Sequence, residues 1–170
     1  MTAFHLPTAY LIAGLLYLVM PMAVWLLLRS KRTVSVSVWC SGSEILGISL
    51  VLFSLRGTLP DWMTYPLANF MLYLGALMRV QSLRVELGSA LHPTILAVTA
   101  LLCLAGYEFF RLVLDQVDLH FVWSITLVAT LFAWQSWLSL LIARRDRSQG
   151  AWWLAVTLSP TIKPLSTAAP

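Results

Sequence analysis

Long apolar runs alternate with short polar breaks along the whole chain. Five runs, at about residues 8–28, 34–55, 62–80, 93–114 and 119–143, have the length that a helix needs to cross a bilayer, about 20 residues. The strands of a membrane barrel read differently, as alternation over about ten residues. The pattern therefore predicts an all-α integral membrane protein: a bundle of five transmembrane helices over residues 1–150. The next stretch, AWWLAVTLSP, is apolar for too few residues to span, and Pro160 and Pro164 then break the pattern. Residues 151–170 read as an interfacial segment, or the stump of a sixth helix, followed by a flexible tail.

The polar breaks carry the orientation. Arg29, Lys31, Arg32, Arg79, Arg84, Arg144, Arg145 and Arg147 fall in alternate breaks on one side. Only Arg56 and Arg111 fall on the other, beside Asp61, Glu108, Asp115 and Asp118. The positive-inside rule then places the basic breaks in the cytoplasm and the N-terminus outside. Trp25, Trp39, Trp62, Trp123, Trp137, Trp152 and Trp153 lie near predicted helix ends, as an interfacial aromatic belt requires. Trp134 lies deeper, where it packs between helices. Pro21, inside the first run, removes a helical hydrogen bond from the Tyr17 carbonyl and predicts a kink. Beyond Arg79, RVQSLRVELG sets Val80, Leu83 and Leu87 on one face and reads as a helical extension lying at the cytoplasmic interface.

Two polar residues interrupt the second and third runs. Glu44 is close to the middle of one and Asn69 near the middle of the other, within about 3 Å in depth at 1.5 Å per residue. An ionisable group in hydrocarbon is costly enough to be a functional candidate. The simplest expectation is an intramembrane polar pair, Asn69 donating to Glu44. Around Glu44, Ser37, Cys40, Ser41 and Gly47 recur at helical spacing, and Ser43 with Gly47 forms a small-xxx-small pair. Small residues let helices approach closely, so this face is expected to be the packing face of the second helix. Glu108 and Arg111, spaced i, i+3, are expected to pair on the outer side. His92-Pro93 suits the first turn of the fourth helix.

Composition narrows the chemistry. The 170 residues are 59% hydrophobic and 11% charged, with a mean hydropathy of +0.82. That is too few charges to cover a water-facing surface. The net charge of +4 follows the polar breaks, and no nucleic-acid footprint is visible. No basic n-region or small-residue cleavage site marks a signal peptide. Cys40 and Cys103 lie inside apolar runs with no CxxC or Cys/His cluster. His5 and His120 fall on the outer side and His92 on the inner, so the histidines do not converge on one metal. No cofactor is implied. If a haem or chlorophyll were held by one histidine, His120 is the candidate ligand. The sequence is expected to be non-enzymatic, with membrane lipids and other integral membrane proteins as partners.

Between Trp39 and Gly88 the sequence resembles a known family. Trp39, Gly47, the Arg56-Gly57 pair, Pro60, Asn69, Gly75 and the LRVELG that ends at Gly88 resemble the multi-helix membrane sensor region of bacterial diguanylate cyclases (GGDEF proteins) and histidine kinases. The resemblance implies a sensor-like module in a bacterial inner (cytoplasmic) membrane. Those regions run to about seven helices and an output domain; this sequence has no GGDEF, phosphorylatable histidine box or nucleotide-binding motif. Three functions are therefore expected in order. The first is an accessory subunit of a larger membrane complex, acting through helix contacts. The second is a sensor module that binds a small apolar or quinone-like ligand and signals to a separate kinase or cyclase. The third is a small transporter or proton-conducting protein using Glu44.

Overall fold

A computed structural model describes residues 6–29, 33–113 and 117–146. The expected interfacial segment and tail at 151–170, with Trp152 and Trp153, lie outside these residues, as does His5. The apolar runs form α1 (Leu6–Leu27), α2 (Val34–Ser54), α3 (Ala68–Glu86), α4 (Pro93–Leu112) and α5 (Val117–Asp146). Among the described residues there is no strand; one isolated bridge closes the turn between Arg56 and Leu59.

Local chemistry fixes the ends. Thr33 caps α2, its hydroxyl accepting the Val36 N–H. The His92 ring accepts the Thr94 N–H ahead of Pro93, whose missing donor costs nothing in a first turn. Gly88 ends α3 with φ +72°, and Ser89 N–H reaches back to the Arg84 carbonyl at 2.9 Å, the closure that a left-handed residue permits. Gly57, at φ +85°, lets the chain reverse between α2 and the next helix.

The third helix opens with a feature that the apolar pattern hides. Met63–Leu67 form one π-helical turn around Pro66. Proline offers no N–H and crowds the carbonyl four residues back, and the wider turn accommodates it. At the end of this turn the Tyr65 carbonyl accepts both the Ala68 N–H and the side-chain amide of Asn69, the latter at 2.8 Å.

Helices α1, α2 and α3 form a row welded by glycines. A Cβ on Gly14 would sit 3.0 Å from the Gly47 carbonyl oxygen, and one on Gly75 would sit 2.7 Å from that of Gly42. Such approach is open only to residues without a side chain. On the other flank, α4 and α5 pack on each other and on α3. Trp123 lies over Gly106 and donates its indole N–H to the Cys103 carbonyl, so it joins α4 to α5 and does not merely anchor a helix end.

Polarity is arranged from the inside outward. Helix α3 is the central element, and its buried residues include Asn69, Arg79, Gln81 and Ser82. Large exposed apolar side chains occur on α1, α2, α4 and α5 but not on α3. Four helices, α1, α2, α4 and α5, are long and apolar enough to cross a membrane. Helix α3, expected as a fifth such span, falls short in apolar character because Asn69, Arg79, Gln81, Ser82, Arg84 and Glu86 interrupt it. The extension expected after Arg79 is helical. It is the uninterrupted end of α3, and Gln81 clasps the α3–α4 connection through both its amide groups to the Leu91 backbone.

Candidate functional site

The helices run alternately up and down. One end of the bundle carries the Arg56–Asp61 turn, here the turn end. The other carries Arg29, Arg84, Arg144 and Arg145, here the basic end. Helices α1 and α2 form one flank and α4 and α5 another, both resting on α3. A cleft is left between the flanks.

At the turn end the cleft is a cavity of about 420 Å³ with contributions from all five helices. Leu50, Phe53, Leu72, Ile125 and Val128 give it apolar walls. Arg56, Asn69, Tyr107, His120 and Ser124 supply polar groups. Asn69 is 3% exposed and held by the carbonyl of Tyr65 in the π turn. Ser124 shares a 2.6 Å hydrogen bond with the buried Tyr73 hydroxyl, tying α5 to α3. His120 meets Tyr107 edge to face at 5.2 Å, and its Nδ1 is buried without a hydrogen-bond partner. The Arg56 guanidinium lies over the rings of Phe53 and Tyr65, at 4.9 and 4.5 Å from their centroids. Arg111 lies over the same Tyr65 ring at 5.1 Å and donates through Nε and Nη2 to Glu108. That pair, read from the i, i+3 spacing, is the one ion pair among the described residues. The other oxygen of Glu108, Oε1, is buried and unpartnered.

Halfway along, the cleft is partitioned. Arg79 reaches across from α3, and its Nη1 donates to the Tyr17 hydroxyl at 3.1 Å. Its guanidinium carbon is 5.4 to 5.9 Å from the ring centroids of Tyr17 on α1, Trp39 on α2 and Phe132 on α5. Beyond this partition, at the basic end, lies a second cavity of about 290 Å³.

The residues singled out from sequence are dispersed differently from the expectation. Glu44 and Asn69 form no hydrogen bond: Asn69 turns toward the cleft, while Glu44 is half-buried elsewhere on α2 and lines neither cavity. Equal depth brings residues together only when their faces agree. The expected packing face of α2 also divides. Cys40 and Gly47 are buried, Cys40 donating its thiol to the Pro21 carbonyl at 3.5 Å. Ser41 is exposed, and Ser37 turns its hydroxyl to its own helix at the Thr33 carbonyl. Residues that meet α3 include Gly42, Leu46 and Ser49, and Ser49 donates to the Ala68 carbonyl at 2.8 Å.

Sequence reasoning took Arg79 for a topology marker and passed over Pro66. The available signal was seven further residues of helix-compatible sequence after Arg79, which place it well inside α3.

No family model matches the chain, and no curated protein or solved structure matches it at a significant level. The geometry must carry the functional reading.

Proposed function

We propose that the chain is an integral membrane protein whose five helices cross a bilayer, and that it is a non-enzymatic module binding a small amphiphilic ligand in the turn-end cavity. Four helices with the length and hydropathy of spans support the first part. Helix α3 crosses within the bundle, where the other helices replace lipid as its solvent. The excess of arginine at the basic end supports a cytoplasmic placement of that end, and the sensor-like resemblance supports a bacterial inner membrane.

The observation that carries the ligand reading is the cavity of about 420 Å³, with apolar walls and polar groups from Arg56, Asn69, Tyr107 and His120. Binding sites for small molecules have this size and this mixture. The ligand has an apolar body and a head that accepts hydrogen bonds, as a quinone does. Signalling to a separate partner then follows from how the ligand sets the distance between the two flanks.

The test is tryptophan quenching by decylubiquinone in mild detergent, with Val128→Phe as the cavity-filling variant. Saturable quenching that the variant weakens about tenfold or more supports the reading. Quenching that is not saturable, or is equal in both proteins, sinks it.

A second reading, an accessory subunit, is favoured by one observation. Ser41 is exposed and Glu44 only half-buried at mid-helix on α2, where hydrocarbon would otherwise meet part of a carboxyl group. A neighbouring membrane protein would satisfy it. Native mass spectrometry of the chain isolated from its own membrane discriminates: a stoichiometric companion supports this reading, and a bare monomer removes it.

A further inference from the structure

Arg79 is 7% exposed, yet its surroundings do not complete it. A guanidinium carries five N–H donors and keeps its charge in proteins. One of those donors has an acceptor, the neutral hydroxyl of Tyr17. Nε is buried with no partner, and no carboxylate lies within ion-pair distance among the described residues. Three aromatic rings face the cation. They offer the guanidinium their electron-rich faces, but they accept no N–H in its plane. A buried charge is ordinarily paired, and the missing element here is an anion.

The space for it is adjacent. Arg79 lines the basic-end cavity of about 290 Å³ together with Trp39, Ser82 and Gln135. Gln135 is 2% exposed, and its only hydrogen bond among the described residues is a long one, 3.5 Å from Nε2 to the Ala76 carbonyl, so its amide adds polar capacity beside the arginine. Val24, Val36 and Leu83 give the remaining wall an apolar character. Arg29, Arg84, Arg144 and Arg145 stand at the same end of the bundle. Their field concentrates anions there.

From this we propose that the basic-end cavity is an anion site in which Arg79 holds a phosphate group, with Gln135 beside it. The phosphate belongs either to a lipid headgroup, whose glycerol and first methylenes meet Val24, Val36 and Leu83, or to free phosphate. A planar guanidinium offers two parallel N–H groups to such an oxyanion, and the unpartnered Nε is one of them. Three rings and the Tyr17 hydroxyl fix the plane in advance, so little side-chain freedom is lost on binding. The site is separate from the turn-end cavity and stands whether or not that cavity takes an amphiphile.

The experiment titrates the full chain in mild detergent and reads bound mass by native mass spectrometry and melting temperature in parallel. The probes are dioleoyl phosphatidylglycerol, dioleoylglycerol as the same lipid without phosphate, and inorganic phosphate. Saturable uptake of one phosphatidylglycerol, with a raised melting temperature and no uptake of dioleoylglycerol, establishes the lipid source. A saturable rise with inorganic phosphate establishes the free anion. Wild-type protein that responds to neither phosphate-bearing probe, or that takes dioleoylglycerol equally well, overturns the proposal. Arg79→Met keeps an apolar stem between the rings and is expected to weaken binding about tenfold or more, the loss of a charge-assisted hydrogen bond. Arg79→Lys keeps the charge without the fork and is expected to fall between. An Arg79→Met protein that folds and binds with undiminished affinity also overturns it.

Discussion

One cleft has two ends, and they solve the problem of polarity inside an apolar bundle in opposite ways. At the turn end, polar groups come from four different elements: Asn69 on α3, Tyr107 on α4, Ser124 and His120 on α5, and Arg56 in the turn after α2, over two aromatic rings. At the basic end a single charged side chain, Arg79, does the joining, and it reaches α1, α2 and α5 at once. The first arrangement leaves a roomy cavity, because no one residue bridges it. The second closes the cleft in the middle and leaves a smaller cavity beyond. A distributed set of weak donors suits a ligand that comes and goes. A buried, pre-oriented cation suits one that stays.

The largest expected effect comes from breaking both ends together. Gly75 lies between Asn69 and Arg79 on α3 and has no room for a Cβ. Gly75→Val forces α2 away from α3 and should cost up to about 3 kcal/mol, the upper range for overpacking. Unfolding in mixed micelles measures it. The comparison requires that decylubiquinone and phosphatidylglycerol binding fall together in this variant. Loss of one with the other intact would mean that the ends are not organised by the same helix.

Tyr17→Phe breaks one end alone. It removes the single acceptor that the Arg79 guanidinium has among the described residues. Hydrogen bonds to charged groups are worth about 1.5–3 kcal/mol, and a loss of about 2 kcal/mol is expected. Added phosphatidylglycerol should restore part of it, because an anion supplies the missing acceptor. At the turn end, Tyr73→Phe breaks the hydrogen bond to Ser124. Both partners are neutral, and hydrogen bonds between spanning helices average about 0.6 kcal/mol. A loss of about 1 kcal/mol or less is therefore expected, with phosphatidylglycerol binding unchanged. Equal losses for Tyr17→Phe and Tyr73→Phe would erase the distinction between a charged and a neutral hydrogen bond.

These differences were only partly legible in the sequence. Helix number and approximate boundaries follow from the lengths of the apolar runs, and α2 begins at Val34 and α4 at Pro93, as read. Caps such as Thr33 and breakers such as Gly57 work locally, so the sequence displays them. Which face turns inward does not show in the same way. When a helix is apolar on every side, no amphipathic stripe distinguishes a neighbour from lipid. On α2 the choice is made by glycines. Gly42 and Gly47 are five residues apart, about 140° around the helix, and they meet α3 and α1 respectively. Serving two partners from two faces leaves Ser41 and Glu44 outside both. The rule that polar residues point inward pairs Glu44 with Asn69, and close backbone packing overrides it. Arg79 was hidden by the opposite error. Basic residues usually mark the ends of spans, but here α3 continues to Glu86 and carries the arginine inside.

Glu44 gives the smallest predicted effect, and it sharpens the comparison by lying off the cleft. It lines neither cavity and shares no ion pair among the described residues. If the cleft holds the polar chemistry of the isolated chain, Glu44→Leu should change unfolding stability by no more than about 0.5 kcal/mol, as for a position with no polar partner among the described residues. It should leave both ligand titrations unchanged. Its effect belongs to association: a hydrocarbon-exposed carboxyl is costly, and a companion protein that satisfies it would be lost from the variant at matched expression. Stability and association therefore respond to different residues. A loss of 2 kcal/mol or more in the isolated Glu44→Leu chain would show that the carboxyl makes an internal contact and that the cleft is not the only polar core. An unchanged monomer that sheds its companion would assign Glu44 to the outward face of α2 and leave ligand binding to the two ends of α3.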